Sequence, residues 1–254
     1  MQAPTKIAVA GATGRVGHHV VEVLEARGHD VVPMSRSQGV DVITGTGLAA
    51  ALADVECVID AATAPSPDQD AATEFFTTAA PEPPRCSPAG GRAANDSGVH
   101  HRDRPVHRGL RRREARPRAG HAVGPDPVRV LRAAQFHEFV AQLVEWGTQG
   151  EVSYVPKMRT QLVAARTVAE ALADLATEPG PTKTPFTEVA GPREENLVEM
   201  ATLLASRRGH PLKIEGVSNP TDPDHELNEN GALLPGPGAI LAGPTFEEWL
   251  DSTP

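Results

Sequence analysis

A short apolar run leads directly into a glycine-rich turn near the start of the chain, in the segment TKIAVAGATGRVG. Residues 7–10 have the pattern of a buried parallel strand, and residues 16–27 have the periodicity of an amphipathic helix. Between them lie Gly11, Gly14 and Gly17, which permit a tight turn, close backbone approach to phosphate and close helix–strand packing. The junction constrains the start of the chain to a strand–turn–helix unit.

Such a unit also predicts a ligand. Free N–H groups and the positive end of the helix dipole attract an anion to the helix start. The spacing GxxGxxG departs from the commoner GxGxxG, so the flanking strand and helix favour a nucleotide pyrophosphate site over a purely structural turn. The predicted contact residues are Gly11, Thr13, Gly14, Arg15, Val16 and Gly17.

The second predicted strand, residues 29–34, ends in a sequence that bears on cofactor choice. An NAD-preferring site usually has an acidic residue there for the ribose hydroxyls. Here Ser35, Arg36 and Ser37 follow, and a guanidinium beside hydroxyls suits a 2'-phosphate, which favours NADP while NAD remains possible. The alternative is an ordinary solvated arginine in a loop. Asp30 stands at the strand entrance and is not expected to bind the ribose.

A third apolar run, residues 56–60, is followed by the small residues Ala61, Ala62 and Thr63. Small side chains at a strand end permit backbone contact with the adenosine ribose, so we expect these three residues to contact the cofactor. The alternative is a plain strand-to-loop transition.

Together, GATGRVG, MSRS, VID with its small-residue loop, and LRAAQFHEF resemble an atypical short-chain dehydrogenase/reductase of the NmrA-like, NAD(P)H-binding type. The resemblance covers residues 5–80 and 127–254, and it is more specific in the first stretch. It implies a Rossmann-like domain, a bound NADP or NAD, and either a reductase activity on a small-molecule substrate or redox sensing without turnover.

Composition narrows the class of protein. A chain of 254 residues suits one Rossmann-type domain with a small appended lobe. A net charge of -9 argues against nucleic acid as the main partner. Cys57 and Cys86 have no metal or redox spacing, and neither a membrane-spanning run nor a signal-peptide pattern is present, so we expect a cytoplasmic protein without a membrane partner.

One segment departs from this picture. Residues 82–121 contain ten arginines and four acids, a local charge of +6 that leaves -15 for the remainder. The segment has no strand or helix periodicity, although a doubly wound fold needs a buried strand and a helix here. A long structureless insertion inside a compact domain counts against a simple fold assignment.

Three explanations compete for this segment. A basic arm could bind nucleic acid, but stacking aromatics are absent and the rest of the chain is acidic. A metal site could use four histidines, but their spacing matches no known ligand set, so no metal is predicted: His100, His101, His107 and His121. The favoured explanation is that residues 82–126 are translated out of frame.

The frame hypothesis can be examined from the residues alone. A shift by one nucleotide lets residues 95–115 read MILVSIIGTDRFTAAYGAAKL, which contains an apolar strand, a serine and a tyrosine four residues before a lysine. The tyrosine codon overlaps Leu110, and the codon overlapping Glu114 can encode only lysine or arginine. The free bases were chosen with the family in mind, so the reading shows compatibility rather than proof.

The resemblance to short-chain dehydrogenases/reductases implies that this tyrosine is the general acid or base. It also implies that the lysine holds the ribose and lowers the pKa of the tyrosine. As written, the only tyrosine is Tyr154, and Met158 stands four residues later, so the expected Tyr-x-x-x-Lys pair is missing. Tyr154 stands shortly before a proline and is expected in a loop. No catalytic residue is therefore assigned, and activity is expected to be impaired.

The second half of the chain alternates again between strand and helix patterns. Residues 128–131 predict a strand and residues 133–146 a helix. The family pattern nominates Gln135, Phe136 and His137 as substrate-side residues. The alternative is that Phe136 is core and His137 caps or solvates a helix turn.

Further patterns complete the predicted α/β architecture. Helices are predicted at 160–175 and 196–206 with a strand and turn at 185–191, while residues 217–243 suit a loop-built lid. Phe246, Trp249 and Leu250 are expected to dock a terminal helix. The predicted fold is a Rossmann-like doubly wound parallel sheet in residues 1–149, with a smaller C-terminal substrate-side lobe in residues 150–254.

Overall fold

The computed structural model describes residues 4–62, 92–95, 128–178, 186–209, 213–218 and 224–252, and for residues 92–95 it describes the backbone. In chain order the elements are β1 (Lys6–Ala10), α1 (Gly17–Ala26), β2 (Asp30–Met34), α2 (Leu48–Ala51), β3 (Cys57–Asp60), β4 (Arg92–Asn95), β5 (Val128–Ala133), α3 (His137–Gly147), β6 (Thr148–Gln149), β7 (Val152–Pro156), β8 (Arg159–Thr160), α4 (Ala165–Thr177), β9 (Thr187–Ala190), β10 (Glu195–Asn196), α5 (Leu197–Arg207), β11 (Lys213–Val217), α6 (His225–Glu229), β12 (Ile240–Leu241) and α7 (Phe246–Ser252).

The chain divides into two compact units. The first comprises Met1–Arg132 and Val168–Thr187, and the second comprises Ala133–Thr167 and Glu188–Pro254. The predicted boundary after residue 149 lies inside the second unit. The chain leaves the first unit after Arg132 and returns to it at Val168, so each unit is made of two separate segments.

The first unit is built on a parallel sheet with the strand order β5-β4-β3-β1-β2. Ala10, the last residue of β1, is level with Met34 of β2 and Asp60 of β3. Sequence order along the sheet reverses at β1, and in doubly wound sheets ligands bind outside the carboxyl ends of the strands at such a reversal. The predicted α/β class with a parallel sheet is confirmed.

Hydrophobic patterning explains why β1 and α1 form where they do. Ile7, Ala8 and Val9 are fully buried, as expected of a central parallel strand. Helix α1 buries Val20 and Leu24 completely, one turn apart on the same face. The sequence-predicted strand and helix therefore agree with the structure to within one residue at each end.

The structure contains a central strand, β4, in the segment where the sequence pattern indicates none, and this corrects the sequence prediction. Strand β4 pairs in parallel with β3 on one side and with β5 on the other, so these neighbours do not lack a partner along their facing edges. The strand RAAN has neither an apolar run of four residues nor a polar–apolar alternation, so the sequence pattern does not indicate it. The other residues of the 82–126 segment lie outside the described part of the chain.

A buried arginine closes the C-terminal end of α4 in the first unit. The Arg129 guanidinium donates hydrogen bonds to the carbonyl oxygens of Leu175 and Glu178, the second at 2.8 Å. Arg129 is only 8% exposed, so these bonds are shielded from water. Helix C-termini leave carbonyls unpaired and carry a partial negative charge, which a guanidinium satisfies.

Arg129→Met is therefore expected to lower the free energy of unfolding by roughly 2–4 kcal/mol, because buried carbonyls lose their donors. Urea denaturation measures the loss. Arg27→Met is the matched control: Arg27 pairs with Asp174 of the same helix at 2.7 Å, but on the surface, where such pairs contribute less than about 1 kcal/mol. Equal losses in the two variants would contradict the proposed role of Arg129.

In the second unit, β7 lies between β6, which is antiparallel to it, and β11, which is parallel. Its core consists of Val140, Val144, Val155, Leu162, Leu197, Met200, Ala201, Leu204 and Phe246. Phe246 is fully buried and stacks on Trp249 at 5.6 Å between ring centroids. The terminal helix, α7, thus docks on this core through Phe246, with Trp249 and Leu250 packed against the core, as the sequence predicts.

Several predicted boundaries in the second half were wrong. Helix α3 begins at His137 rather than 133, because Ala133 ends β5 and the Ala134 N–H donates to the Val189 carbonyl instead. Helix α4 begins at Ala165 rather than 160, because Thr160 pairs with Glu195 in the short β8–β10 ladder.

Two further predictions need correction. Tyr154 lies in strand β7 rather than in a loop, and it is 37% exposed. The 217–243 tail is not built of loops alone, because it contains α6 and β12. Pairing with strands distant in sequence places Tyr154 in β7 and forms β12, and a local sequence pattern does not reveal such pairing.

Candidate functional site

The turn after β1 is a tight backbone cradle. The Gly14 N–H donates to the Gly11 carbonyl at 2.8 Å, and Gly11 has a φ of 73°, in the left-handed region that favours glycine. A Cβ at Gly11 would lie 2.7 Å from the Ala61 carbonyl oxygen and from Ala62 Cα. A side chain at Gly11 would therefore clash with the backbone of the neighbouring strand end.

Gly17 is the most constrained glycine of the turn. A Cβ there would lie 2.1 Å from the Gly11 carbonyl oxygen and 3.0 Å from Ala12 Cα. Both neighbours are backbone atoms, so a side chain cannot be accommodated by a rotamer change. Gly14 is looser, with the Gly11 oxygen at 3.1 Å from its hypothetical Cβ.

At the start of helix α1, the His18 N–H donates to the Gly14 carbonyl at 3.2 Å. Val16 is the residue before the helix, and no side chain caps this end. No acidic residue lies in the first turn to neutralise the positive end of the helix dipole. Thr13 and Arg15 are exposed at the turn, whereas the Val16 side chain is buried.

Three strand ends converge on this turn. The Ala12 N–H donates to the Met34 carbonyl at 3.3 Å, which ties the turn to the end of β2. The Ala61 N–H donates to the Ala10 carbonyl at 3.0 Å, and the Ala62 N–H donates to Asp60 Oδ1 at 3.0 Å. The structure therefore brings Gly11–Gly17 together with the ends of β2 and β3; Thr63 lies outside the described residues.

The residues after β2 form a short 3-10 helix, Arg36–Gln38. The Ser35 hydroxyl donates to Gln38 Oε1 at 3.0 Å and shares a 2.9 Å hydrogen bond with the Ser37 hydroxyl. Arg36 is exposed, and among the described residues no ion pair within 4 Å involves it. Its guanidinium can therefore meet an anion that lies beside the end of β2.

Sequence analysis missed Asp41. Its carboxylate oxygen Oδ1 accepts hydrogen bonds from the Ile43 N–H at 2.8 Å and the Thr44 N–H at 3.4 Å. These bonds, chiefly the one from Ile43, lower the pKa of Asp41, and the positive charge of Arg36 adds to the effect. The signal was present in the sequence as an Asp followed by Thr and Gly, a pattern typical of a side-chain-closed turn.

The three substrate-side candidates lie in the second unit. The Gln135 side-chain carbonyl accepts a hydrogen bond from the Thr160 hydroxyl at 2.6 Å. Phe136 is 4% exposed and His137 is fully buried. The structure therefore favours the alternative in which Phe136 belongs to the core, and only Gln135 retains a partly exposed side chain.

His137 is held in an apolar setting. Its Nε2 shares a 3.1 Å hydrogen bond with the Pro244 carbonyl oxygen, and its ring lies 5.4 Å from the rings of Phe246 and Trp249. Its Nδ1 is buried and has no hydrogen-bond partner among the described residues. Burial lowers the pKa of His137 from its ordinary value of 6.5 to about 4, although the bond to Pro244 opposes this.

Two carboxylates in the same unit serve helix starts. Glu195 accepts the Phe246 N–H of α7 at 3.1 Å, and burial raises the pKa of its carboxyl group. Glu138 accepts the Ala165 N–H of α4 at 3.2 Å. Negative charge at a helix N-terminus stabilises the helix, so these contacts give both carboxylates a structural role; the Oε2 atom of each is buried without a hydrogen-bond partner among the described residues.

Within the described part of the chain, no group of three or more His, Cys, Asp or Glu residues is placed to hold a metal ion. The histidines of the 82–126 segment lie outside it. None of the described helices combines the length and the apolar character that a bilayer crossing requires.

Comparison with known proteins bears on the same region. Residues 7–79 match the NAD dependent epimerase/dehydratase family. No match to a curated protein reaches significance. Among solved structures, a short-chain dehydrogenase/reductase superfamily protein from Agrobacterium tumefaciens with bound NAD superposes with a TM-score of 0.60 at 15% identity, covering 97% of this chain and 95% of that one. The chain has the fold of a short-chain dehydrogenase/reductase.

Two further solved structures are similar in fold to this chain. A dTDP-4-dehydrorhamnose reductase from Bacillus anthracis in complex with NADP has a TM-score of 0.63 at 14% identity, covering 97% of each chain. A UDP-N-acetylglucosamine 4-epimerase from Bacillus cereus has a TM-score of 0.59 at 15% identity, covering 98% of this chain and 94% of that one. These likenesses confirm the fold that the resemblance implies, whereas membership of the family and the NmrA-like assignment stay predictions.

Proposed function

We propose that this chain is an NAD(P)-binding oxidoreductase of the atypical short-chain dehydrogenase/reductase type. Its reaction would be hydride transfer between NADPH and a small carbonyl or quinone-like substrate in the cytoplasm. The single observation that carries the proposal is the Gly11–Gly17 cradle, which lies at the sheet reversal beside an uncapped helix start. Solved structures of the same fold hold NAD or NADP, and the family matched by residues 7–79 is NAD dependent.

The residues of the first unit fit such a cofactor. Backbone N–H groups of the turn and of the α1 start would bind the pyrophosphate. The backbone can approach the pyrophosphate closely because Gly11 and Gly17 carry no side chain. Ala61 and Ala62 would lie along the adenosine ribose, with Thr63 continuing the segment. The bound nicotinamide supplies the hydride chemistry, and the protein positions it.

Ser35 and Arg36 would select NADPH through its 2'-phosphate. Arg36 is exposed beside the end of β2, which is tied to the turn by the Ala12–Met34 hydrogen bond. A guanidinium binds a phosphate dianion much more strongly than it binds a neutral ribose hydroxyl.

Arg36→Asp is accordingly expected to weaken NADPH binding by roughly tenfold or more while changing NADH binding little. Calorimetric titration with the two cofactors measures the ratio of dissociation constants. Arg208→Asp, which makes the same charge change at an exposed residue of the second unit, is the control for general electrostatic effects. Equal losses for both cofactors in Arg36→Asp would contradict the 2'-phosphate assignment.

A second candidate function is an NmrA-like NADP-sensing protein that binds the dinucleotide without turnover. One observation favours it: the only tyrosine, Tyr154, is a β7 residue followed by Met158, so the chain as written has no Tyr-x-x-x-Lys pair. An NADPH oxidation assay against a panel of carbonyls and quinones separates the two. Turnover favours the reductase, and saturable cofactor binding without turnover favours the sensor.

A shifted reading frame in the gene would also explain why the Tyr-x-x-x-Lys pair is absent. Translation of residues 82–126 from a shifted frame would impair the enzyme by removing its tyrosine and lysine. Resequencing the coding DNA of residues 80–127 tests this. An open shifted frame with a tyrosine codon overlapping Leu110 is expected, whereas a stop codon or no tyrosine codon there would refute it.

A further inference from the structure

A histidine side chain of helix α1 binds the backbone of the glycine turn. His18 Nδ1 lies 2.8 Å from the Gly14 carbonyl oxygen. A carbonyl oxygen can only accept a hydrogen bond, so Nδ1 carries the proton and donates it. The backbone N–H of His18 donates to the same oxygen at 3.2 Å. The Gly14 carbonyl therefore accepts two hydrogen bonds, both from His18.

The direction of this carbonyl fixes the direction of the next N–H group along the chain. The peptide between Gly14 and Arg15 is planar and trans, so the Arg15 N–H points opposite to the Gly14 carbonyl. Because the carbonyl is directed at His18, into the first turn of α1, the Arg15 N–H points out of the helix start. This is the side from which an anion approaches a helix N-terminus.

The Arg15 N–H is available to such an anion. Among the described residues, no backbone carbonyl accepts a hydrogen bond from it. Glycine tolerates many backbone conformations, so the peptide after Gly14 needs hydrogen bonds to hold its direction. The Gly11 carbonyl holds the Gly14 N–H at 2.8 Å, and His18 holds the Gly14 carbonyl.

A neighbouring side chain supports the ring of His18. The rings of His18 and His19 contact each other, with 3.8 Å between their centroids and 39° between their planes. His19 Nδ1 in turn donates to Glu22 Oε2 at 3.3 Å. These contacts restrict an otherwise exposed side chain, which lowers the entropy cost of its hydrogen bond to the turn.

We propose that His18 is a positioning residue of the dinucleotide site, whose ring holds the Gly14–Arg15 peptide so that the Arg15 N–H faces the pyrophosphate. The inference rests on the proposed function, in which the glycine turn binds the dinucleotide. His18 acts through the backbone and need not touch the cofactor. Because NADPH and NADH carry the same pyrophosphate, its effect should be equal for both.

Two substitutions separate the hydrogen bond of His18 from its ring. His18→Phe keeps a ring beside His19 but has no donor. His18→Asn has no ring, but its amide nitrogen is attached to Cγ, as Nδ1 is, and can donate to the Gly14 carbonyl. The full chain is titrated calorimetrically with NADPH, NADH and ADP, which carries a diphosphate without nicotinamide.

We expect His18→Phe to bind all three ligands roughly three- to tenfold more weakly, with an unchanged ratio of NADPH to NADH affinity. His18→Asn should bind them within about twofold of the wild type, because the donor is retained. A residue that only stabilises the helix would not give this rescue.

His19→Phe is the matched control. It makes the same substitution one residue along α1, keeps a ring beside His18 and should bind with wild-type affinity. Thermal melting establishes that the variants fold, and if His18→Phe melts early, His18→Ala, which also lacks the donor, replaces it. The 15N spectrum of the His18 ring in the wild-type protein, recorded without cofactor, reports whether Nδ1 carries a proton.

Several results would overturn the role of His18. They are wild-type affinity in folded His18→Phe, a loss in His18→Asn as large as in His18→Phe, an equal loss in His19→Phe, and an Nδ1 without a proton. Failure of the proposed function is distinguishable, because the wild-type chain would then bind neither NADPH nor NADH, whereas the ring spectrum would still show whether His18 donates to the turn.

Discussion

Gly17→Ala is expected to abolish measurable binding of NADPH and NADH while leaving most of the protein folded. The added Cβ would lie 2.1 Å from the Gly11 carbonyl oxygen and 2.7 Å from the Gly11 carbonyl carbon. Neither atom can move without moving the turn, so its N–H groups would no longer converge on one pyrophosphate. Loss of two hydrogen bonds to a charged phosphate, about 1.5–3 kcal/mol each, corresponds to roughly a hundredfold or greater loss of affinity.

Calorimetric titration measures this effect, and thermal melting controls for unfolding. Gly238→Ala is the matched control, because a Cβ at Gly238 would have no heavy atom within 4 Å. Its affinity should equal that of the wild type. Wild-type affinity in a folded Gly17→Ala protein would show that the turn is structural, as the alternative interpretation of the sequence holds.

Acid is expected to destabilise the second unit through His137. A buried histidine with a lowered pKa favours folding in its neutral form, so its stabilisation is complete above the unfolded pKa of 6.5. That stabilisation is lost as pH falls from 6.5 toward the folded value of about 4. The shift corresponds to roughly 3 kcal/mol of unfolding free energy, because one pKa unit is worth about 1.4 kcal/mol.

Urea denaturation between pH 7 and pH 4, followed by tryptophan fluorescence, measures this loss, since Trp146 and Trp249 both lie in the second unit. His137→Gln keeps a hydrogen-bond donor for Pro244 but does not titrate, so its stability profile should be flatter over that window. Glu195, whose pKa is raised by burial, titrates in both proteins and acts in the opposite direction. The exposed His18→Gln is the control, and a wild-type slope in His137→Gln would contradict the assignment.

The first unit is largely predictable from sequence because its determinants are local. Ile7–Ala10 is uniformly apolar, and glycine appears where the backbone needs a positive φ or a close approach, as at Gly11 and Gly17. These signals predict the strand, the turn and the helix together. The convergence of β2 and β3 on the turn follows from the rule that parallel strands present their carboxyl ends at one edge.

The parts that sequence did not predict depend on distant contacts. His137 was left between two interpretations because its burial depends on Pro244, 107 residues away. Tyr154 lies in a strand because Glu215 of β11 pairs beside it.

The most direct test of the central claim is a calorimetric titration of the full wild-type chain with NADPH and, separately, with NADH. If the glycine turn and Arg36 form a dinucleotide site, both cofactors bind saturably at one site per chain and NADPH binds more tightly. If the folded chain binds neither cofactor, the turn after β1 is not a nicotinamide dinucleotide site, and the proposed function is refuted.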